Sequence, residues 1–367
     1  MRSRGVLRVG VLMVTLGGSA AVAYAQAPGL DIPRRADGRP DLSGTYDIAT
    51  LTPLQRPVEL ADKLVLTEEE AATLAAEASS LEGLFNIPDE RNVEGGAPRA
   101  APPVGGDGSS GAAGNVGGYN SFWMDFGQSG FRIDGQFRTS IITDPPNGRR
   151  PPLTAAAGEA MSALAASARP NTGTAWWLEG DLDAPGPYDH PERRPHAERC
   201  LMGFGSTAGP PMLPVLYNNL KRIVQSDDTV MILVEMVHDA RIVRMHQEHV
   251  SPEIRTWLGD SVGRWDGDTL VVDTTNFRDS PSLGQASRDL HVVEQFSRID
   301  GDTLLYEFTV DDPTVWAAPW SGEYVWPATD NKVYEYACHE ANYSFGGILR
   351  GARVLEADAR GESSSPR

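Results

Sequence analysis

Across residues 222–345 apolar and polar side chains alternate in short runs, each closed by a compact turn. A period of two puts one set of side chains on a buried face and the other on a wetter one, as strands require. The alternation predicts nine strands: 222–226, 229–237, 241–245, 261–265, 269–277, 290–299, 303–311, 323–326 and 332–339. Two of the turns are near copies, Arg264-Trp-Asp-Gly-Asp-Thr-Leu270 and Arg298-Ile-Asp-Gly-Asp-Thr-Leu304. Asp-Gly between alternating runs signals a hairpin, because glycine takes positive φ without a Cβ clash. Sequential strands on tight turns form an antiparallel up-and-down meander, and enough of them close into a barrel and lose their edges. A seven-strand sandwich and an open twisted sheet are the competing arrangements.

The N-terminal half is sparser. Residues 41–46 read as a short first strand. Thr67-Glu-Glu-Glu70 opens a helix running to Phe85, with Thr67 as cap, Glu70 at the capping-box position and Leu74, Ala75, Ala78, Leu81 and Phe85 on one face. Two strands are expected within 119–144, ended by the Pro145-Pro-Asn-Gly148 turn, and a second helix over 154–168. Ser251-Pro252 starts a short helix to Leu258, ended by Gly259. Residues 91–118 are Gly, Pro, Ala and Ser with few large apolar groups, a linker too poor in such groups to build a core. The expected organisation is a leader at 1–25, an N-terminal strand and helix at 26–90, the linker, a β domain at 119–350 and an unstructured tail at 351–367.

The leader is a secretory signal peptide: a basic start, an apolar run to Leu16 and the Ala23-Tyr-Ala25 cleavage site. An uncleaved anchor is the competing reading, but the run is short for a membrane span and carries Arg8. Cleavage removes three positive charges, Arg2, Arg4 and Arg8, and takes the net charge from −18 to −21. Such a surface repels nucleic acid and anionic lipid, so neither is an expected partner, and stable membrane insertion is not expected. In an exported chain the two cysteines, Cys200 and Cys338, make one disulfide in the simplest reading. Closing so long a loop is worth about 4 kcal/mol in the chain-entropy model.

Polar groups on strands expected to be buried are the candidate chemistry. Glu235 has apolar neighbours on both faces of its run, so its carboxyl must be paired, with Arg241 or Arg264, or hold a raised pKa as an acid or base. His238-Asp239 at a strand reversal reads as a general base with its orienting carboxylate, or as a capped turn. His339, Glu340, Asn342 and Tyr343 beside Cys338 form the densest polar cluster. Catalytic candidates are therefore Glu235, His238, Asp239, His339, Glu340 and Tyr343, with Trp265, Tyr306, Arg241, Arg264 and Asn342 against the substrate. His246-x-x-His249 has metal-ligand spacing but lacks the helix of a zinc hydrolase, so no metal is assigned. No Gly-x-Ser-x-Gly elbow and no phosphate-binding glycine pattern occurs, which leaves no nucleotide cofactor expected.

Several strings resemble an abundant, largely uncharacterised family of secreted bacterial proteins: Arg138-Thr-Ser-Ile-Ile-Thr-Asp-Pro-Pro-Asn-Gly-Arg149, Gly209-Pro-Pro-Met-Leu-Pro-Val-Leu-Tyr-Asn-Asn219, Gly259-Asp-Ser-Val-Gly-Arg-Trp265, Thr269 to Phe277, and Tyr336-Ala-Cys-His-Glu-Ala-Asn-Tyr343. The resemblance implies export to the periplasm or beyond and carries no activity. The strand pattern separately resembles the calycins, the lipocalin and fatty-acid-binding-protein architecture, and Gly44-Thr-Tyr46 resembles the aromatic plug at the start of a lipocalin. The fold class expected is thus mainly β, a meander closing into a calycin-like barrel with a few helices in the N-terminal half. The function expected is cofactor-independent acid/base chemistry (lyase, hydratase, isomerase or hydrolase) on a small hydrophobic or aromatic molecule in the barrel. The alternative is a carrier of such a molecule.

Overall fold

A computed structural model describes residues 31–85, 125, 127–167, 175–203 and 205–362, with the side chains of 77–85, 167, 238 and 341 outside that description. The expected leader and linker also lie outside it. The first half contributes β1 (Gly44–Asp47), β2 (Val65–Leu66), α1 (Glu68–Phe85), β3 (Arg132–Ile133), β4 (Gln136–Arg138), β5 (Ile142–Asp144) and α2 (Ala155–Ser167). The second contributes β6 (Leu220–Gln225), β7 (Thr229–Val234), β8 (Ala240–Met245), β9 (Asp260–Asp266), β10 (Thr269–Thr275), β11 (His291–Arg298), β12 (Thr303–Asp311), β13 (Trp320–Pro327), α3 (Cys338–Ala341) and α4 (Tyr343–Ala359). Helices therefore lie in both halves, and α4 runs through residues expected to be an unstructured tail.

Ten strands form one sheet in the order β1-β6-β7-β8-β9-β10-β11-β12-β13-β5, and β2-β4-β3 form a second, small one. The large sheet curls as a half-barrel. Its first strand touches the far end of β13 at one antiparallel bridge, Tyr46 to Ala328, while the β13 ladder is taken by β5. The edges approach without a continuous ladder between them. The meander holds from β6 to β8 and from β9 to β13, but β8 and β9 pair in parallel. A parallel step needs a crossover, and residues 246–259 supply it. The helix expected within that segment is a turn, closed by Gly259 at φ +74, where a Cβ would meet Thr275 O at 2.8 Å.

The two copied turns fold differently. Thr269 pairs with Asp266, leaving a two-residue loop with Gly267 first at φ +58, as a type II′ hairpin requires. In the second copy Leu304 pairs with Arg298, whereas the matching Leu270 pairs with Trp265, so the register slips by one residue.

Alternation fixes the inner face. Leu304, Tyr306, Phe308 and Val310 of β12 point inward, as do Phe296 of β11 and Trp320, Tyr324 and Trp326 of β13. The Tyr306 and Trp326 rings lie 4.8 Å apart. Residues 206–213 are buried throughout and thread onto this face. The Met212 amide donates to Tyr306 Oη at 2.9 Å, and Tyr324 Oη donates to Met212 O at 2.6 Å. The space a ligand would take in an open barrel is thus occupied by aromatic rings and a loop. At the sheet's edge Tyr46 is fully buried, donates to Leu42 O at 2.9 Å and accepts from Arg298 Nη2 at 3.0 Å.

The capping box of α1 is reciprocal: Glu70 N donates to Thr67 Oγ1 and Thr67 N to Glu70 Oε2. The apolar face expected beside it is not buried at Leu74, which is exposed. Cys200 and Cys338 are disulfide-bonded, with Cα atoms 5.8 Å apart across 138 residues.

Candidate functional site

Four polar regions and two cavities compete. The deepest region is built on the inner face by Arg241 of β8. Its Nε donates to Ser261 Oγ at 3.0 Å, Nη1 to Glu294 Oε1 at 2.9 Å, and Nη2 to Thr274 Oγ1 at 3.0 Å and to Glu294 Oε2. Tyr306 Oη adds a 2.7 Å bond to Glu294 Oε1. Arg241 and Glu294 are 2% and 0% exposed, so no substrate reaches them in this packing. Burial works against the Arg241 charge, but Glu294 outweighs it and the pKa is raised. Burial lifts the Tyr306 phenol well above its ordinary value, and the Glu294 charge adds to that. Both residues were expected to face substrate; they close a structural network instead, because each polar atom named is met by the fold itself.

The second region is the turn after β7. Glu235 is buried, as expected, but neither Arg241 nor Arg264 pairs with it: Arg241 is taken by Glu294 and Arg264 is exposed. Glu235 Oε2 accepts from the Leu220 amide at 3.3 Å, and burial raises its pKa against the pull of that bond and of Lys221. Lys221, inward on β6, is fully buried with no hydrogen-bond partner on Nζ. Burial lowers its pKa to about 7, opposed by Glu235 and Asp47. Sequence reading passed over Lys221; the signal was a lysine two residues before Ile223, on the inward set of the β6 alternation.

The third region holds the remaining predicted residues, and they do not converge. His238 closes the Met236–His238 turn with its side chain outside the described part, and the carbonyl of half-buried Asp239 accepts from Val234 N at 2.8 Å. Residues 332–339 are not a strand; His339 and Glu340 lie exposed on α3, and Tyr343 is 87% exposed at the start of α4. The stretch before them meets the small apolar cluster of Ala208, Val234, Met236 and Val237 beside the Glu235 turn, through Tyr336. Asn342 donates to Glu198 O at 2.7 Å beside the disulfide, a local staple. Trp265 packs on the core under the Arg39 guanidinium, 5.7 Å from its ring centroid.

The fourth region was not anticipated. The crossover delivers His249 to the outer face, between Asp260 of β9 (Nδ1 to Oδ2, 2.9 Å) and Asp273 of β10 (Nε2 to Oδ1, 3.1 Å). His291 of β11 reaches the same Asp273 oxygen at 3.0 Å. The Asp273 bond raises the His291 pKa, and His291 in turn holds Asp273 low. Burial pushes Asp260 up, but bonds from Val250, His249 and Arg244 outweigh it and its pKa is lowered. His246 takes no part in this chain. Among the described residues no group of three or more His, Cys, Asp or Glu side chains is arranged to hold a metal ion.

Neither cavity includes that chain. A groove of about 1130 Å³ runs between the outer face of β1, β6 and β7 and residues 328–335, with Arg222, Asp302, Asp330, Lys332 and Glu335 on its walls. A cleft of about 440 Å³ opens between residues 50–54 and the threading loop, lined by Leu51, Leu54, Ile141, Leu213, Leu216 and Leu283, with Thr50, Thr52, Arg150 and Ser206 as polar groups. Among the described residues its wall carries no carboxylate, imidazole or amine, the groups that exchange a proton near neutral pH. No family model matches the chain, and neither a curated protein nor a solved structure matches it.

Proposed function

We propose that this chain is an exported carrier that holds a small, largely apolar molecule in the cleft between residues 50–54 and 205–216. The observation that carries the reading is the lining. A mostly apolar wall with four polar side chains, only one of them charged, around about 440 Å³ has the size and composition of a small-molecule site. The larger groove has three carboxylates and two cations on its walls, a poor match for an apolar guest. The disulfide is compatible with an oxidising compartment.

Mass spectrometry of material co-purified with the full chain, followed by ligand-induced thermal shift, tests this. Leu216, 49% exposed and on the cleft wall, gives the control. Leu216→Trp fills the cleft from its open side, so ligand stabilisation is lost while the unliganded melting temperature stays put. Undiminished binding in this variant excludes the cleft.

The Asp260–His249–Asp273–His291 chain favours a second reading, cofactor-independent proton transfer on the outer face. Product detection with His291→Gln and Asp273→Asn tests it: turnover untouched by both removes that chain from any mechanism.

A further inference from the structure

We infer that the cleft's ligand bears an anionic head group on an apolar body, and that Arg150 is the counter-ion for that head; the inference rests on the binding role proposed for the same cleft. Arg150 enters the wall just beyond the turn that follows β5. Its Nε is buried without a hydrogen-bond partner. Among the described residues its Nη1 reaches the uncharged Gln285 Oε1, at 3.3 Å. The guanidinium lies 5.2 Å and 5.7 Å from the ring centroids of Trp320 and Trp316.

No carboxylate pairs with it among the described residues, in a chain with 50 acidic residues against 32 basic ones. At four other arginines the fold does supply a carboxylate: Arg34 meets Asp268, Arg138 meets Glu323, Arg241 meets Glu294 and Arg244 meets Asp260; buried Arg56, on neither cavity wall, has backbone carbonyls of Ala61 and Pro146 instead. A guanidinium cannot shed its proton to relieve burial. Indole faces compensate part of the charge, and the fold supplies Nε with no acceptor, so the hydrogen bonding of this cleft-wall guanidinium is left incomplete. A carboxylate presents two oxygens to such a fork, while Leu54, Leu213 and Leu283 cover the chain behind it. An uncharged guest of the same length leaves the fork unmet.

The test is isothermal titration of the full chain with octanoate and with octanol, repeated on Arg150→Met and Arg150→Lys. Octanoate is expected to bind the wild type at least about tenfold tighter than octanol, the scale of one charge-assisted pair. Arg150→Met keeps octanol binding and loses the preference; Arg150→Lys, with charge but no fork, keeps part of it. Equal affinities in the wild type, or a preference that survives Arg150→Met, overturns the assignment of Arg150 and leaves the cleft standing. Binding of neither probe to folded wild type overturns the carrier reading itself. If Arg150→Met does not fold, the wild-type ratio and Arg150→Lys decide.

Discussion

Arg241 and Arg150 are both cations set among apolar side chains. Around Arg241 the fold places two hydroxyls and a carboxylate on the guanidinium, and a tyrosine on the far side of that carboxylate. Around Arg150 it places one amide at 3.3 Å and two indole rings. The first arrangement has nothing left to offer a ligand; the second leaves Nε without an acceptor. Lys221 shows a third outcome. It also lacks a partner, but an amine can go neutral, and its pKa of about 7 says that it does so readily. What sets Arg150 apart is that its unmet charge lies on a cleft wall.

The comparison breaks most visibly at Glu294. Glu294→Gln strands the Arg241 charge in a dry core and is expected to lower unfolding free energy by about 3–5 kcal/mol, read by denaturant melts. The double variant Arg241→Met with Glu294→Leu is expected to recover most of that loss. If Glu294→Gln shifts stability by less than about 1 kcal/mol, Arg241 is not held as described.

Lys221→Met has the opposite sign. A lysine whose folded pKa lies below its unfolded value destabilises the fold at pH below that unfolded value, and the penalty is complete below the folded pKa of about 7. The methionine variant is therefore more stable than wild type at pH 6, by a few kcal/mol in order of magnitude, and the gain fades toward pH 10. A gain that does not vary with pH contradicts the neutral-lysine picture.

The smallest effect belongs to the outer face. His291, raised by Asp273, contributes stability that is present below its unfolded pKa and lost as pH rises through the folded one. Asp273, held low, contributes stability present above its unfolded pKa and lost as pH falls through the folded one. Asp273→Asn removes both arms, and because the pair is partly exposed the loss is expected to stay below about 1 kcal/mol near pH 5.5. A loss of several kcal/mol makes this chain a core element and erases its contrast with Arg241.

The strands were legible because alternation survives in the chain: 303–311 coincides with β12, and the ladder from β9 to β13 follows the expected order. Direction was not, since a period of two reads the same for the parallel β8–β9 pair as for an antiparallel one. Residues 332–339 alternate as a strand does, but β5, from nearly 180 residues earlier, already holds that side of β13. Helix α4 was hidden by Gly346, Gly347 and Gly351, which weaken helical propensity; its buried contacts, Ala352 and Glu356, bonded to Trp177 Nε1 at 3.1 Å, supply what propensity does not. At the site, residue types were legible and partners were not. Glu235 reads as buried from its neighbours, but that Arg241 would turn to Glu294, 53 residues away, depends on register across three strand pairs.

The most direct test observes the Arg150 guanidinium itself. In the full chain labelled with ¹⁵N-arginine, one Nε–H resonance, assigned by its disappearance in Arg150→Lys, is expected to move downfield as octanoate saturates the cleft and to stay in place with octanol. An Arg150 signal that does not respond at saturation, or a response at Arg222 in the groove instead, contradicts the account.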